Sequence, residues 1–251
     1  MNERDIKHNI LIDISMYNTD GVFVPSAYQR MIMSMIEEHL DILNIGEKEL
    51  MEKHGISWVL LSSSIKIIKR LSPTDVIHGI TWHSGGRAPS FRRDFTFNDC
   101  DGNNIAVGAT ISTLFDNASR RLCLDRKKLS VVDLPAGEIA LESLDRKMEP
   151  CMDPMFIESR KVRPSMTDGV GHVNNTKYAD YIYDSMTKEE RDRLGLLSSM
   201  DIWFNYELRE GDSFSIFKSV PNESTLCFFG IKDGEQRSSF DLRLKFDMEQ
   251  Q

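Results

Sequence analysis

The tetrapeptide Thr-Asp-Gly-Val occurs at 19–22 and again at 167–170, each time between a strand-like run and a helix. Four shared residues are weak evidence of duplication, but their surroundings match as well. In the first half the run Ile10–Met16 leads into a turn at Asn18-Thr19-Asp20-Gly21. Ser26–Leu43 follows, with Met31, Met35, Ile36, Leu40 and Leu43 at helical spacing and Ser26 as N-cap after Pro25. Four strands are then predicted, at Trp58–Ile68, Val76–Trp82, Phe91–Phe97 and Ile105–Phe115. Asp101-Gly102 makes a hairpin turn between the last two.

The second half repeats this order. Phe156–Val162 reads as a strand, Thr167–Val170 as a turn, and Asn175–Met186 as a helix carrying Tyr178, Ile182 and Met186 on one face. Strands at Ile202–Leu208, Phe214–Val220, Thr225–Ile231 and Phe240–Phe246 complete it, punctuated by Gly211-Asp212, Pro221-Asn222 and Asp233-Gly234. A helix followed by a strand meander gives each half an antiparallel sheet covering one helix. The class is therefore α+β and not alternating α/β. Residues 125–154 show no sustained periodicity and read as a connector. The expected organisation is a first domain over 1–130, a connector over 131–155 and a second domain over 156–251.

Charge and cysteine usage narrow the function. A net charge of -8 argues against general nucleic-acid binding, which needs a basic face to neutralise phosphates. No stretch has the roughly 18 apolar residues of a membrane span, and Met1–Asn9 has no apolar signal core. Cys100, Cys123, Cys151 and Cys227 are scattered without metal-ligand spacing, which suits reduced thiols in a cytoplasmic protein. His39, His54, His78 and His83 likewise show no mutual metal-binding spacing and receive no role.

The densest polar cluster is Asp168-Gly169-Val170-Gly171-His172-Val173-Asn174-Asn175, just before the second helix. Its glycines let a substrate approach main-chain N–H groups, and the helix start supplies donors for a developing negative charge. His172 and Asp168 are suited to orienting and moving protons. Taken alone, the same residues serve equally as a capped helix start, with Asn174 or Asn175 as N-cap. The first copy of the turn runs into apolar Phe23-Val24-Pro25-Ser26-Ala27-Tyr28, so the second half is the one equipped for chemistry.

Gly171-His172-Val173-Asn174-Asn175-Thr176-Lys177-Tyr178 closely resembles the His-Val-Asn-Asn-x-x-Tyr signature of acyl-acyl carrier protein (acyl-ACP) thioesterases, plant and bacterial. Trp58-Val59-Leu60, Ile65-Lys66-Ile67, Thr81-Trp82, Phe91-Arg92-Arg93 and Asp101-Gly102 follow the family's order, so the resemblance covers about Asp13 to Phe246. The chain looks like a bacterial member. The resemblance implies a double hot-dog fold and hydrolysis of fatty acyl-ACP to free fatty acid, ending chain elongation, with no cofactor and no metal. It carries the family's Asp-x-Asn-x-His pattern onto Asp168 and His172, with Val170 in place of the Asn. It places the distal strand carboxylate at Glu207 by spacing to Gly211-Asp212, whereas counting from Tyr206 gives Arg209 or Glu210. The plant enzymes' Cys beside that Glu is absent, Leu208 standing there.

In the implied mechanism Glu207 acts as base for a water, or as nucleophile, His172 positions substrate or moves a proton, and Asp168 orients His172 or the loop. Main-chain N–H groups near Asn174 form the oxyanion site, and the Asn174 side chain is a second candidate for holding Glu207. Acyl carrier protein is the expected partner, met by Arg92-Arg93, Arg120-Arg121 or Arg126-Lys127-Lys128 if these are more than solvated charge. Two competing readings stand beside this one: an acyl-coenzyme A thioesterase, and a non-catalytic acyl-carrier-binding protein suggested by Val170. The halves could suffice as a monomer, or two chains could pair through sheet edges as a homodimer.

Overall fold

The computed structural model describes residues 3–73, 75–86, 89–150 and 153–248. Cys151 lies outside them. The chain divides into two compact units, Met1–Ile12 with Met31–Leu144, and Asp13–Arg30 with Asp145–Gln251. The division is not linear in sequence: Asp13–Arg30, which holds the first turn, belongs with the second unit.

In the first unit β1 (His8–Ile10), β2 (Ile56–Ile67), β3 (Ile77–Gly85), β4 (Ser90–Asn98) and β5 (Asn104–Asp116) pair antiparallel in the order β1-β3-β4-β5-β2. The short β6 (Arg121–Leu122) adds to β5. The expected strand Ile10–Met16 is not one: β1 ends at Ile10, and Asp13 caps a single 3-10 turn over Ile14–Met16. An Asp side chain accepting the Ser15 N–H competes with strand pairing there. Helix α1 (Pro25–Ile42) packs Met35 against β3, where Gly79 leaves room for its sulfur. A second helix, α2 (Glu47–His54), went unpredicted; it ends on Gly55 at a left-handed φ of 64°. Ile45, Leu50, Ile56, Leu114, Cys123 and Val132 close a core beneath it.

In the second unit the pairing order is β8-β11-β10-β9-β7, again antiparallel throughout. These strands are β7 (Met155–Lys161), β8 (Leu197–Phe204), β9 (Ser213–Asn222), β10 (Thr225–Lys232) and β11 (Ser238–Phe246). Helix α4 (Lys177–Ser185) lies against this face: Tyr178 meets the rings of Phe204 and Phe240, and Tyr181 meets Phe214. Met186 turns extended and ends α4, and a Thr187–Glu190 capping box starts α5 (Lys188–Asp192). Among the described residues no helix is long and apolar enough to cross a membrane.

The connector contains a short α3 (Arg126–Leu129) and a 3-10 turn over Ser130–Val132 and is otherwise irregular, yet it is tied down. In the first unit Trp82 donates to the Glu138 carbonyl, and buried Asp94 accepts the N–H groups of Ala140 and Leu141. In the second, Trp203 donates to the Asp145 carbonyl and Arg243 pairs with the Asp145 carboxylate at 2.7 Å.

Duplication holds, but the repeated tetrapeptide misplaces its register by two residues. The Asn18 N–H donates to the Val22 carbonyl at 2.9 Å, as the Asp168 N–H does to that of His172. Gly21 donates back to Asn18, as Gly171 does to Asp168, both at 3.0 Å. Val24 donates to Met16 as Asn174 does to Met166. The equivalent residues are therefore Asn18 and Asp168, Val22 and His172, and Tyr28 and Tyr178. Gly21 and Gly171 carry φ of 71° and 80°, which explains a glycine at that place in both copies.

The same device closes both sheets. Gly108 on β5 sits opposite Phe95, and Gly230 on β10 opposite Phe240, both phenylalanines being fully buried. A Cβ at Gly108 would fall 2.3 Å from the Phe95 ring and from the Ser64 carbonyl; one at Gly230 would fall 2.1 Å from the Phe240 ring. Gly108→Ala and Gly230→Ala should each cost about 1–3 kcal/mol by overpacking, read as a lower denaturation midpoint. Gly169→Ala, which meets nothing within 4 Å, should be close to neutral.

His39 and His83, assigned no role in the sequence, join His8 in a buried network. His8 and His39 share a 3.0 Å hydrogen bond; His8 also meets Glu38, and His39 meets Glu3 at 3.3 Å. Glu3 in turn pairs with buried Arg93 at 2.8 Å and accepts the His83 N–H. Burial holds His39 below the ordinary histidine value despite Glu3 beside it. Burial opposes the ionisation of Glu3, but His39 and Arg93 still hold it below the usual carboxylate range. Both shifts mean that the unfolded chain binds more protons, so stability falls on acidification, first as pH drops through the ordinary histidine value. Thermal melts should shift down between pH 7.5 and pH 5.5, and His39→Gln should shrink that shift.

Candidate active site

The turn before α4 is organised by Asp168, whose Oδ1 accepts the N–H groups of Val170 (3.0 Å) and His172 (3.4 Å). Thr167 and Val173 bridge its two arms. Asp168 therefore orients the loop main chain and not the imidazole, one of the two roles expected of it.

The second component comes from beyond β8. This strand ends at Phe204, before Glu207, because Asn205 and Tyr206 both donate to the Ser239 carbonyl and break the ladder. Glu207 thus stands on a loop, a correction to the expected strand position. The loop is stitched to the turn: the Val173 N–H donates to the Leu208 carbonyl at 2.8 Å, and His172 bridges Arg209. Leu208 is fully buried and anchors the segment. The Tyr178 hydroxyl hydrogen-bonds the Leu208 backbone, and burial pushes that hydroxyl up. The tyrosine of the signature therefore braces the loop.

The consequence is a histidine–carboxylate pair, with His172 Nε2 3.0 Å from Glu207 Oε2. His172 is 27% exposed and Glu207 51%, so both can be reached by a substrate. Of the alternatives left by residue counting, Arg209 joins the pair: its Nη2 lies 3.0 Å from the same Glu207 oxygen. In an extended segment residues two apart share a side, the signal by which Arg209 was legible. Its backbone is held by Asp212, whose Oδ2 accepts the Arg209 N–H at 2.8 Å. Burial works against ionised Asp212, but Lys232 at 2.8 Å keeps it below the usual carboxylate range.

Asn174 does something else. Its side chain accepts the N–H and hydroxyl of Thr176 at 3.0 and 2.7 Å, and its own N–H donates to the Met166 carbonyl. It caps the approach to α4, and its Oδ1 is turned to Thr176 and not to Glu207. Val170, onto which the resemblance carries the family's Asn, is exposed.

Fold comparison gives the class. An acyl-ACP thioesterase of Bacteroides thetaiotaomicron superposes with a TM-score of 0.83 at 17% identity, covering 98% of this chain and 100% of that one. The 12:0-ACP thioesterase of Umbellularia californica gives 0.79 at 15% identity, covering 96% of each chain. A MaoC-like dehydratase of Phytophthora capsici gives 0.53 at 12% identity, covering 77% of this chain and 72% of that one. The fold is the double hot-dog. No curated protein sequence matches the chain. Family models do: the acyl-ACP thioesterase N-terminal domain over residues 6–127 and the C-terminal domain over 152–249. The chain belongs to the acyl-ACP thioesterase family, and with that membership go thioester hydrolysis as its reaction and acyl carrier protein as its partner.

Because Asp168 holds the loop that presents His172, Asp168→Ala should lower kcat by about 10–100-fold through misplacement. Asp168→Asn, which retains an acceptor oxygen, should recover much of the loss, as steady-state kinetics would show.

Proposed function

We propose that the second hot-dog domain hydrolyses fatty acyl-ACP through the Glu207–His172 pair. The observation that carries this reading is their 3.0 Å contact on two loops held together by main-chain hydrogen bonds. Glu207 Oε2 is occupied by His172 and Arg209, so Oε1 is the oxygen that takes a proton from water. That water attacks the thioester carbonyl carbon, the C–S bond breaks, and the thiolate leaves with a proton delivered by the pair. Free fatty acid and the carrier thiol result.

The oxyanion needs an N–H not already committed. Val173, Asn174 and Thr176 donate to Leu208, Met166 and the Asn174 side chain, whereas among the described residues no acceptor engages the Asn175 N–H. We assign the developing charge to Asn175, at the approach to α4. No residue in this scheme calls for a cofactor. Cys100 and Cys123 are thiols, which supports the reading of a reducing, cytoplasmic setting.

Thiol release from matched acyl-ACP and acyl-coenzyme A substrates tests the reading. Glu207→Gln and His172→Ala should each lower kcat by about two to four powers of ten with the fold intact. Faster turnover of the coenzyme A substrates would shift the natural carrier. Binding of acyl-ACP by the wild type without turnover would favour a carrier-binding role, which Val170 would then explain.

A further inference from the structure

We propose that Arg209 is a positioning residue that holds Glu207 against His172. The inference rests on the hydrolytic reading above.

Arg209 is placed unlike an ordinary surface arginine. Its N–H donates to Asp212 Oδ2 at 2.8 Å, its carbonyl accepts the Asp212 N–H at 3.0 Å, and its main chain bridges His172. The root of the side chain is thus fixed from two sides, while the guanidinium remains half exposed. Its Nη2 and His172 Nε2 reach the same oxygen of Glu207, each at 3.0 Å. A half-exposed glutamate left alone would sample several rotamers, and ordering it costs side-chain entropy. Two donors fixed on separate loops select one rotamer and leave Oε1 for the water. The guanidinium has five N–H groups, so this contact does not exhaust it.

The first half supplies an internal contrast. There Ile68 and Lys69 both donate to Ile105, as Asn205 and Tyr206 do to Ser239. Ser72 donates to Asp75 as Arg209 does to Asp212. By this register Arg70 stands in the place of Glu207, Ser72 in that of Arg209 and Val22 in that of His172. The hydrogen bonds within each segment are kept in the first half, with Arg70, Val22 and Ser72 where the second has the acid, the imidazole and the guanidinium. All three occur together only where the chemistry is proposed.

The test is a set of variants assayed for thiol release from acyl-ACP, with melting curves alongside. Arg209→Ala should lower kcat by about 10–100-fold, as expected for a misplaced reacting group, with KM within about threefold. Arg209→Lys should retain more activity than Arg209→Ala. Unchanged kcat in Arg209→Ala, with the wild type active, overturns this inference alone. So does a loss confined to KM, which would make Arg209 a docking contact for the acidic carrier. So too does a loss that tracks a fall in melting temperature, if Arg209→Lys restores no activity. Absence of turnover in the wild type sinks the hydrolytic reading, and this inference with it.

Discussion

A single main-chain hydrogen bond, from the Val173 N–H to the Leu208 carbonyl, fixes the distance on which the site depends. It joins a turn that follows β7 to a loop that follows β8, two segments more than thirty residues apart in sequence. Without it, His172 and Glu207 would be solvated side chains on separate loops, where an exposed ion pair is worth about 0–1 kcal/mol. With it, the backbone sets their separation, so neither side chain must find the other. Buried Leu208 and the Tyr178 hydroxyl hold the junction from the core side. Asp168 and Asp212 hold the two loops from their own turns.

The duplicated frame shows how little of the fold such a site consumes. Turn and loop each keep their own hydrogen bonds in both halves, down to the doubled donation onto Ser239 and Ile105, but among the described residues the Val173–Leu208 bond has no counterpart in the first half. Asn18 fills the place of Asp168 with the same acceptor geometry, taking the Asp20 and Val22 N–H groups. Since an amide oxygen serves as well as a carboxylate for this, the main-chain role of Asp168 is structural in origin. What distinguishes the second copy is the imidazole, the distal acid and the guanidinium of Arg209, together with the main-chain bond that joins turn to loop.

Most of the architecture was legible because burial imposes its period on the chain. The β-branched and aromatic runs marked β2 to β5 and β9 to β11, and the methionine spacing marked α1. What escaped was set by single polar contacts without period: the Asp13 cap that stops β1, and the doubled bonds at Ser239 that end β8 before Glu207. The repeated Thr-Asp-Gly-Val misled by two residues, because the turn selects its acceptor and its left-handed glycine by geometry and tolerates Thr or Gly between them. At the site, Glu207 and His172 were legible through family spacing. The bonds of Asn174 to Thr176 were not, because an Asn before a helix serves as readily to cap it as to bind substrate.

The exposure of the pair bears on how carrier and chemistry are linked. At 27% and 51% exposed, His172 and Glu207 face a high-dielectric surrounding, in which their mutual polarisation is weak. Covering them strengthens each contact without moving an atom, since the same distances count for more once water is excluded. On the proposed mechanism the covering group is the substrate itself, its acyl chain and the arm that bears the thioester. A site left open in the free protein thus gains its full electrostatic strength only when a long thioester occupies it. Small thioesters that reach Glu207 but leave it wet would meet the same residues in a weaker field. Discrimination then follows from how completely a substrate covers the pair, and needs no dedicated contact to each part of it.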